Sequence, residues 1–324
     1  MVMAQSMFKL IKSRQPDSII DVVAPAWTEP LLARMPEVND AIPMPLGHGR
    51  LQLAVRWQLG KDLRDRNYDR AIVLPSSFKS AITPFAAKAR RRSGYIGELR
   101  WGLLNDARKL DKAVLPRTVD RFNSLALEPG EALPAKTPLP MLVTTTGEAR
   151  SRLQALGSKL PDGPVLGLCP GAEYGPAKRW PAAYFATVAE AMRDKGWTVW
   201  LFGSGKDVEA TQAIAHQVGE GCLDLGGKTS LGEAIDLMAM CDAVVSNDSG
   251  LMHVAAATGR PLVAIYGSSD PGFTPPLNEK ASILRLGLEC SPCFKRECPL
   301  GHTRCLYDIK PEQVINALQR QRAA

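Results

Sequence analysis

No apolar run in this sequence approaches the roughly 18–20 residues that cross a bilayer. The nearest, Pro261–Gly267, is only as long as a strand. The stretch Met1–Gln15 mixes apolar positions with Lys9, Lys12 and Arg14 and has no separate apolar core, which is not a signal-peptide pattern. No segment repeats at a solenoid period. The seven cysteines, in a chain that shows no export signal, are expected to be reduced thiols of a cytoplasmic protein. What is present is ordinary: 45% hydrophobic and 23% charged residues. Those proportions exclude a disordered tail, a collagen and a disulfide miniprotein. At 324 residues, the chain has room for about two domains.

Charge is unevenly distributed. Residues 1–130 carry a net +8 and residues 131–324 a net −1, within an overall +7. A basic half suits nucleic acid, an anionic membrane surface or a phosphorylated substrate; the plainer alternative is a solvated basic surface. Only Arg90-Arg91-Arg92 forms a tight cluster, and few aromatics interleave with it. Single-stranded nucleic acid, which needs stacking platforms beside its cations, is therefore disfavoured.

Helical and strand patterns alternate along the whole chain, predicting an α/β fold with parallel sheets. Helices are expected over 3–12, 29–35, 51–66 and 78–88, with strands at 18–23 and 69–74. Another helix follows Pro116. The proline-rich stretch 131–164, expected to enclose a short helix at Glu148–Leu156, is read as the interdomain segment, giving domains 1–160 and 161–324. The second domain opens with the strand Val165–Cys169 and closes with the helix Pro311–Arg322. One feature is unusual: doubly wound domains normally begin with their central strand, whereas this chain begins with a helix.

Three strand-to-helix turns of the second domain share the chemistry of anion binding. The first, Pro170-Gly171-Ala172-Glu173-Tyr174-Gly175-Pro176-Ala177-Lys178-Arg179-Trp180-Pro181, presents two cations before a helix start. A lysine there can neutralise a phosphate as a point charge near the positive end of the helix dipole; the alternative is a surface turn with solvated cations. The second, Phe202-Gly203-Ser204-Gly205-Lys206-Asp207, falls short of both the dinucleotide and the P-loop fingerprints. In the third, Ser246–His253, Asp248 and Ser249 are capping types that leave the amides of Ser249, Gly250 and Leu251 for a ligand. Asp248 as a plain cap and His253 as a structural histidine are the competing readings. Because ligands of open α/β sheets bind beyond the carboxyl ends of the strands, the three turns together define one site.

The segments P-G-A-E-Y-G-P-A-K-R-W-P, N-D-S-G-L-M-H-V-A-A-A and Y-G-S-S-D-P-G-F-T-P-P-L resemble family 9 glycosyltransferases. In the N-terminal half so do A-P-A-W (24–27), R-M-P-E-V-N (34–39), I-P-M-P-L-G-H-G (42–49), V-L-P-S-S-F-K-S (73–80) and G-L-L-N-D (102–106). The resemblance runs co-linearly over almost the whole chain. It implies a GT-B fold of two Rossmann-like domains. The C-terminal domain would bind ADP-L-glycero-β-D-manno-heptose, and the N-terminal domain the first heptose of a heptosyl-Kdo2-lipid A acceptor. The acceptor's anionic groups give the basic half a purpose, with Lys79, Arg90, Arg91, Arg92 and Arg100 as contacts. Lys178 is expected on the donor diphosphate and Asp248 on heptose hydroxyls, these two being the catalytic candidates. The Ser249, Gly250 and Leu251 amides and His253 would complete that site. Glu173 and Tyr174 border it, and Lys206, Asp207 and Thr229 fall where the resemblance places ribose and adenine. The protein would work in the cytoplasm, peripherally at the inner face of the inner membrane.

The implied reaction inverts the anomeric centre in one displacement. It needs a carboxylate base on the acceptor hydroxyl and charge stabilisation of the departing ADP. Protein groups can supply that stabilisation without a metal or other cofactor, and no D-x-D motif suited to holding a divalent ion is present. The family's own start, a strand and a turn ending G-D immediately before M-V-M, has no counterpart in this sequence. A truncated start and weak activity are the corresponding expectations. A second departure is Cys290-x2-Cys293-x4-Cys298-x6-Cys305 with His302 nearby. Its density is zinc-like but its spacing is not that of a standard finger; a structural metal and unliganded thiols both stay open. Other family 9 heptosyltransferases, a non-catalytic truncated form, a GT-B nucleotide-sugar epimerase and a nucleic-acid-binding protein are the alternatives.

Overall fold

The structure, a computed structural model, describes residues 1–46 and 51–323. Gly47, His48 and Gly49 of the I-P-M-P-L-G-H-G motif lie outside the described residues. The chain divides into two compact units, one of Met1 and Met3–Pro138, the other of Val2 and Leu139–Ala324. The division thus falls earlier than the expected 160/161. The reason is that the proline-rich stretch is bonded to the second unit. Leu142 N–H donates to the Ala257 carbonyl (3.0 Å), and Thr145 N–H donates to Asp236 Oδ1 (3.1 Å).

The first unit comprises α1 (Ala4–Arg14), β1 (Asp21–Pro25), α2 (Glu29–Leu32), β2 (Asp40–Met44), α3 (Leu53–Asp62), β3 (Arg70–Val73), α4 (Ile82–Ala86), β4 (Arg91–Tyr95), β5 (Asp106–Arg108) and α5 (Thr118–Ala126). The helix-first order read from the sequence is therefore present. The strands fall into two parallel sheets, β1–β2 and β3–β4–β5. Arg66 links the first sheet, donating to Asp21 (2.8 Å) and Asp40 (2.7 Å), while Tyr68 Oη donates to Asp21 (2.6 Å). These donors outweigh partial burial and hold the Asp21 carboxyl below its usual range. α3 is shorter than the expected 51–66, giving way after Asp62 to a 3-10 turn, Arg64–Arg66. It packs on α4 through Gly60, where a Cβ would lie 2.5 Å from Ala86 Cβ and from the Thr83 carbonyl.

The second unit is one doubly wound sheet. It contains α6 (Thr146–Ala155), β6 (Val165–Cys169), α7 (Ala182–Arg193), β7 (Thr198–Leu201), α8 (Val208–Val218), β8 (Cys222–Asp224) and α9 (Leu231–Met238). β9 (Ala243–Asn247), α10 (Gly250–Ala257), β10 (Leu262–Ile265), β11 (Ala281–Leu284), α11 (Arg304–Tyr307) and α12 (Pro311–Ala323) follow. The strand order is β11-β10-β9-β6-β7-β8, every pair parallel. β6, β9 and β10 are buried along their whole length, as expected of central strands covered on both faces. Leu166, Leu168, Val245 and Ile265 from the sheet join Phe185, Val188 and Met192 of α7 and Val314 and Leu318 of α12 in one core cluster. The chain runs β6, β7, β8 to one side and then crosses back to β9 beside β6. The switch point is therefore the crevice between the carboxyl ends of β6 and β9, where such sheets bind ligands.

Candidate functional site

Two elements meet at that switch point. The turn after β6 carries Lys178 in a 3-10 segment, Pro176–Lys178. β9 ends in Asn247, followed by Asp248. Lys178 Nζ stands 2.5 Å from Asp248 Oδ2, with the two side chains 17% and 5% exposed. The Ser269 hydroxyl, from the segment after β10, donates to the same carboxylate oxygen. A charge-assisted pair of this burial is a costly arrangement unless it is well bonded, and here both partners are held by neighbouring strand ends.

Asn247 builds the crevice. Its amide donates to the Pro170 carbonyl (2.7 Å) and its side-chain oxygen accepts from Trp180 N–H (3.1 Å). One buried side chain thus ties both ends of the Lys178 turn to β9. Trp180 Nε1 in turn donates to the Ile309 carbonyl (2.9 Å). Lys178 Nζ also lies 5.1 Å from the centroid of the Tyr174 ring, and the Arg296 guanidinium 5.5 Å from the same ring.

Of the two capping residues read from the sequence, Asp248 and Ser249, the structure gives the cap to Ser249. Its hydroxyl accepts from Met252 N–H (3.4 Å) at the start of α10, while the Asp248 N–H is spent on the Ile265 carbonyl (3.0 Å). First-turn amides have no intrahelical acceptor, so Gly250 and Leu251 present theirs beside the Lys178–Asp248 pair. A Cβ built on Gly250 meets nothing within 4 Å, leaving room for a ligand. His253 sits half-buried one turn further on. Burial holds its imidazole down to about 4, against the opposing pull of Asp248, so it is neutral at pH 7.

The turn after β7 carries Lys206 and Asp207. Asp207 closes a capping box, accepting from Ser204 N–H (2.9 Å) and the Ser204 hydroxyl (2.7 Å). It also packs so closely on Gly171 that a Cβ there would lie 2.4 Å from its carboxyl carbon. Lys206 pairs with Glu173 on the surface, which holds the Glu173 carboxyl below its usual range. Thr229 is half-buried just before α9. Glu173 belongs to the turn after β6, and Lys206 and Asp207 reach that turn from β7 without entering the Lys178–Asp248 pair.

In the first unit, three of the five expected acceptor cations are already engaged. Arg91, part of the tight basic cluster read from the sequence, begins β4. It bonds Asp106 (2.9 Å) and grips Glu128 with two nitrogens (2.6 and 2.8 Å). Arg92 donates to the Leu103 and Ala89 carbonyls (both 2.7 Å). Arg100, 3% exposed, donates to the carbonyls of Pro75 (2.7 Å) and Tyr95. Structural use of these three guanidiniums accounts for their place in the sequence. Arg90 remains solvated, 3.8 Å from Asp69 with 86% of its side chain exposed. Lys79 lies in the 3-10 turn Phe78–Ala81 that follows β3, at the carboxyl end of its sheet.

Asn247, Ser269 and Arg296 were not singled out from the sequence. For the first two, a usable signal was there: both are polar residues at the carboxyl end of an apolar strand.

Comparison with known proteins supports the same reading. The profile of glycosyltransferase family 9 (heptosyltransferase) matches residues 56–304. The chain is 49% identical to lipopolysaccharide heptosyltransferase 2 of Salmonella typhimurium, over 98% of this chain and 94% of that protein. It is 48% identical to the protein of the same name from Escherichia coli, with the same two coverages. The solved E. coli ADP-heptose LPS heptosyltransferase II superimposes with a TM-score of 0.87 at 45% identity, covering 99% of this chain and 94% of that one. Fold and matches together define a GT-B glycosyltransferase. The chain belongs to glycosyltransferase family 9, the heptosyltransferases, and that membership sets aside the epimerase and nucleic-acid alternatives.

Among the described residues no helix is long and apolar enough to cross a membrane.

Proposed function

We infer that this protein moves L-glycero-D-manno-heptose from ADP-heptose onto the first heptose of the lipopolysaccharide inner core. The observation that carries the reading is near-complete, co-linear similarity to heptosyltransferase 2 proteins, joined to an anion-ready switch point in the second unit. The second unit is the donor domain and the first the acceptor domain. The acceptor is heptosyl-Kdo2-lipid A, met at the inner membrane surface by the net-basic first unit.

In the transfer, the acceptor oxygen forms a bond to the anomeric carbon as the bond to the ADP oxygen breaks. Inversion follows from this single displacement. The acceptor proton passes to a base, and the electron pair leaves with the diphosphate. Lys178 and the first-turn amides of α10 hold the negative charge that grows there, already oriented and half shielded from water. Asp248 fixes the ammonium in the free protein and accepts a heptose hydroxyl once the donor is bound. Neutral His253 adds no charge to the sugar side of the site. Glu173, Tyr174, Lys206, Asp207 and Thr229 form its nucleotide rim. Of the acceptor cations, Lys79 and Arg90 have charge to offer a phosphate; Arg91, Arg92 and Arg100 shape the loops around it.

The test is direct: the purified chain is incubated with ADP-heptose and lipopolysaccharide that ends at the first heptose. ADP release matched by a gain of one heptose in acceptor mass is expected. Unchanged acceptor in the presence of a folded chain that binds ADP would overturn the reading.

A further inference from the structure

The segment 285–303, between β11 and α11, has neither helix nor strand, yet it is well anchored. Phe294 N–H donates to the Ser268 carbonyl (2.7 Å), and the Ser291 hydroxyl to Gly267 (2.6 Å). It also grips the Lys178 turn. Ala177 N–H donates to the Arg296 carbonyl (3.0 Å) and Tyr174 Oη to the Phe294 carbonyl (2.7 Å). A Cβ on Gly175 would lie 2.5 Å from the Arg296 oxygen, so only glycine lets the two backbones approach. Structureless stretches of this length inside a compact domain are uncommon without a function or a fastening of their own.

Behind this contact lies a cavity of about 20 Å³ whose lining includes Cys290, Cys293, Cys298 and Cys305 together with Ser268. A space of that size holds one water-sized particle. None of the four thiols is in a disulfide. The Ser268 hydroxyl, 1% exposed, has no hydrogen-bond partner among the described residues, a cost that a buried group normally avoids. The sulfurs line the wall without closing on one point: among the described residues no three His, Cys, Asp or Glu side chains stand arrayed as a ligand sphere.

We propose that Cys290, Cys293, Cys298 and Cys305 close around one thiophilic divalent metal ion, a structural site that fastens segment 285–303 against the Lys178 turn. Four thiolates and tetrahedral closure select zinc over harder ions, and binding releases the thiol protons to solvent. The site is independent of the proposed transfer, because it offers no open coordination position.

The test uses the full chain, purified from zinc-supplemented medium and then stripped and titrated with Co²⁺. One zinc per chain and an intense thiolate-to-Co²⁺ charge-transfer absorption are expected. The Cys298→Ser/Cys305→Ser double variant loses both, while Cys222→Ser, outside the cluster, keeps both. Proteolysis within 285–303 should accelerate several-fold when the metal is removed from the wild-type chain, a readout that needs no folded variant. A wild-type chain that retains no zinc and gives no charge-transfer band overturns the proposal. So does equal metal binding by the double variant, or a Cys290–Cys293 disulfide in the metal-free protein as isolated under reducing conditions.

Discussion

The two units handle charge in opposite ways. In the first, arginine is abundant and mostly consumed: Arg70, Arg91, Arg92, Arg100 and Arg108 each donate to carbonyls or carboxylates that also belong to that unit. In the second, whose net charge is near zero, a single lysine stands at the switch point of a continuous six-stranded sheet, paired with one buried carboxylate. A charge count locates the basic half but not which of its arginines are bonded within the unit. What makes a cation functional is where the sheet topology puts it.

The largest effects should come from the switch point. Lys178→Ala and Asp248→Ala are each expected to lower transfer on the order of 10–100-fold, the loss of a charge-assisted contact of about 1.5–3 kcal/mol. Lys178→Ala also strands the Asp248 carboxylate, 5% exposed, and unpairing a buried charge costs up to about 3–5 kcal/mol. Adding Asp248→Asn should restore much of the thermal stability and none of the transfer. Equal stability in the single and double variants would show that the pair is not strained by burial.

The contrast between used and spare arginines comes next. Arg100→Ala leaves the carbonyls of Pro75 and Tyr95 without their donor and should destabilise the first unit by about 1–3 kcal/mol. Arg90→Ala, on a solvated side chain, should stay within about 0.5 kcal/mol of wild type. Denaturant unfolding of both variants checks this. If they unfold alike, the division of the arginines is wrong.

The smallest effect is on pH dependence. His253 is held down to about 4 from its ordinary 6.5. Between those values the unfolded chain takes up a proton that the folded chain refuses, so stability falls as the pH is lowered through that window. His253→Asn should flatten this part of a melting-temperature profile; an unchanged slope would place the proton uptake elsewhere.

How much was legible beforehand differs between the units for the same physical reason. β6 was read to the residue and β10 falls inside the strand-length run Pro261–Gly267, because buried parallel strands are continuous apolar runs bounded by turns. β4 was missed: it opens Arg-Arg-Ser-Gly-Tyr, and its arginines bond sideways into loops that sequence periodicity cannot show. The short edge strands β5 and β8, of three residues each, carry too few side chains to establish a period. Lys178, Asp248 and the α10 amides were readable as polar residues at strand ends. The Asp248 bond to Lys178, across 70 positions of sequence, was not, because it depends on β9 returning beside β6. The bonds that Ser269 and Asn247 make were hidden for the same reason, although both residues were visible as polar positions at strand ends.

The account rests on the switch-point pair being a seat for a nucleotide diphosphate, and calorimetric titration of ADP measures that most directly. Comparing wild type with Lys178→Ala/Asp248→Asn, in which the stranded carboxylate is absent, isolates the cation from the fold. Saturable ADP binding by the wild-type chain, weakened on the order of 10–100-fold in the double variant, is the predicted result. The same dissociation constant in both proteins would contradict it.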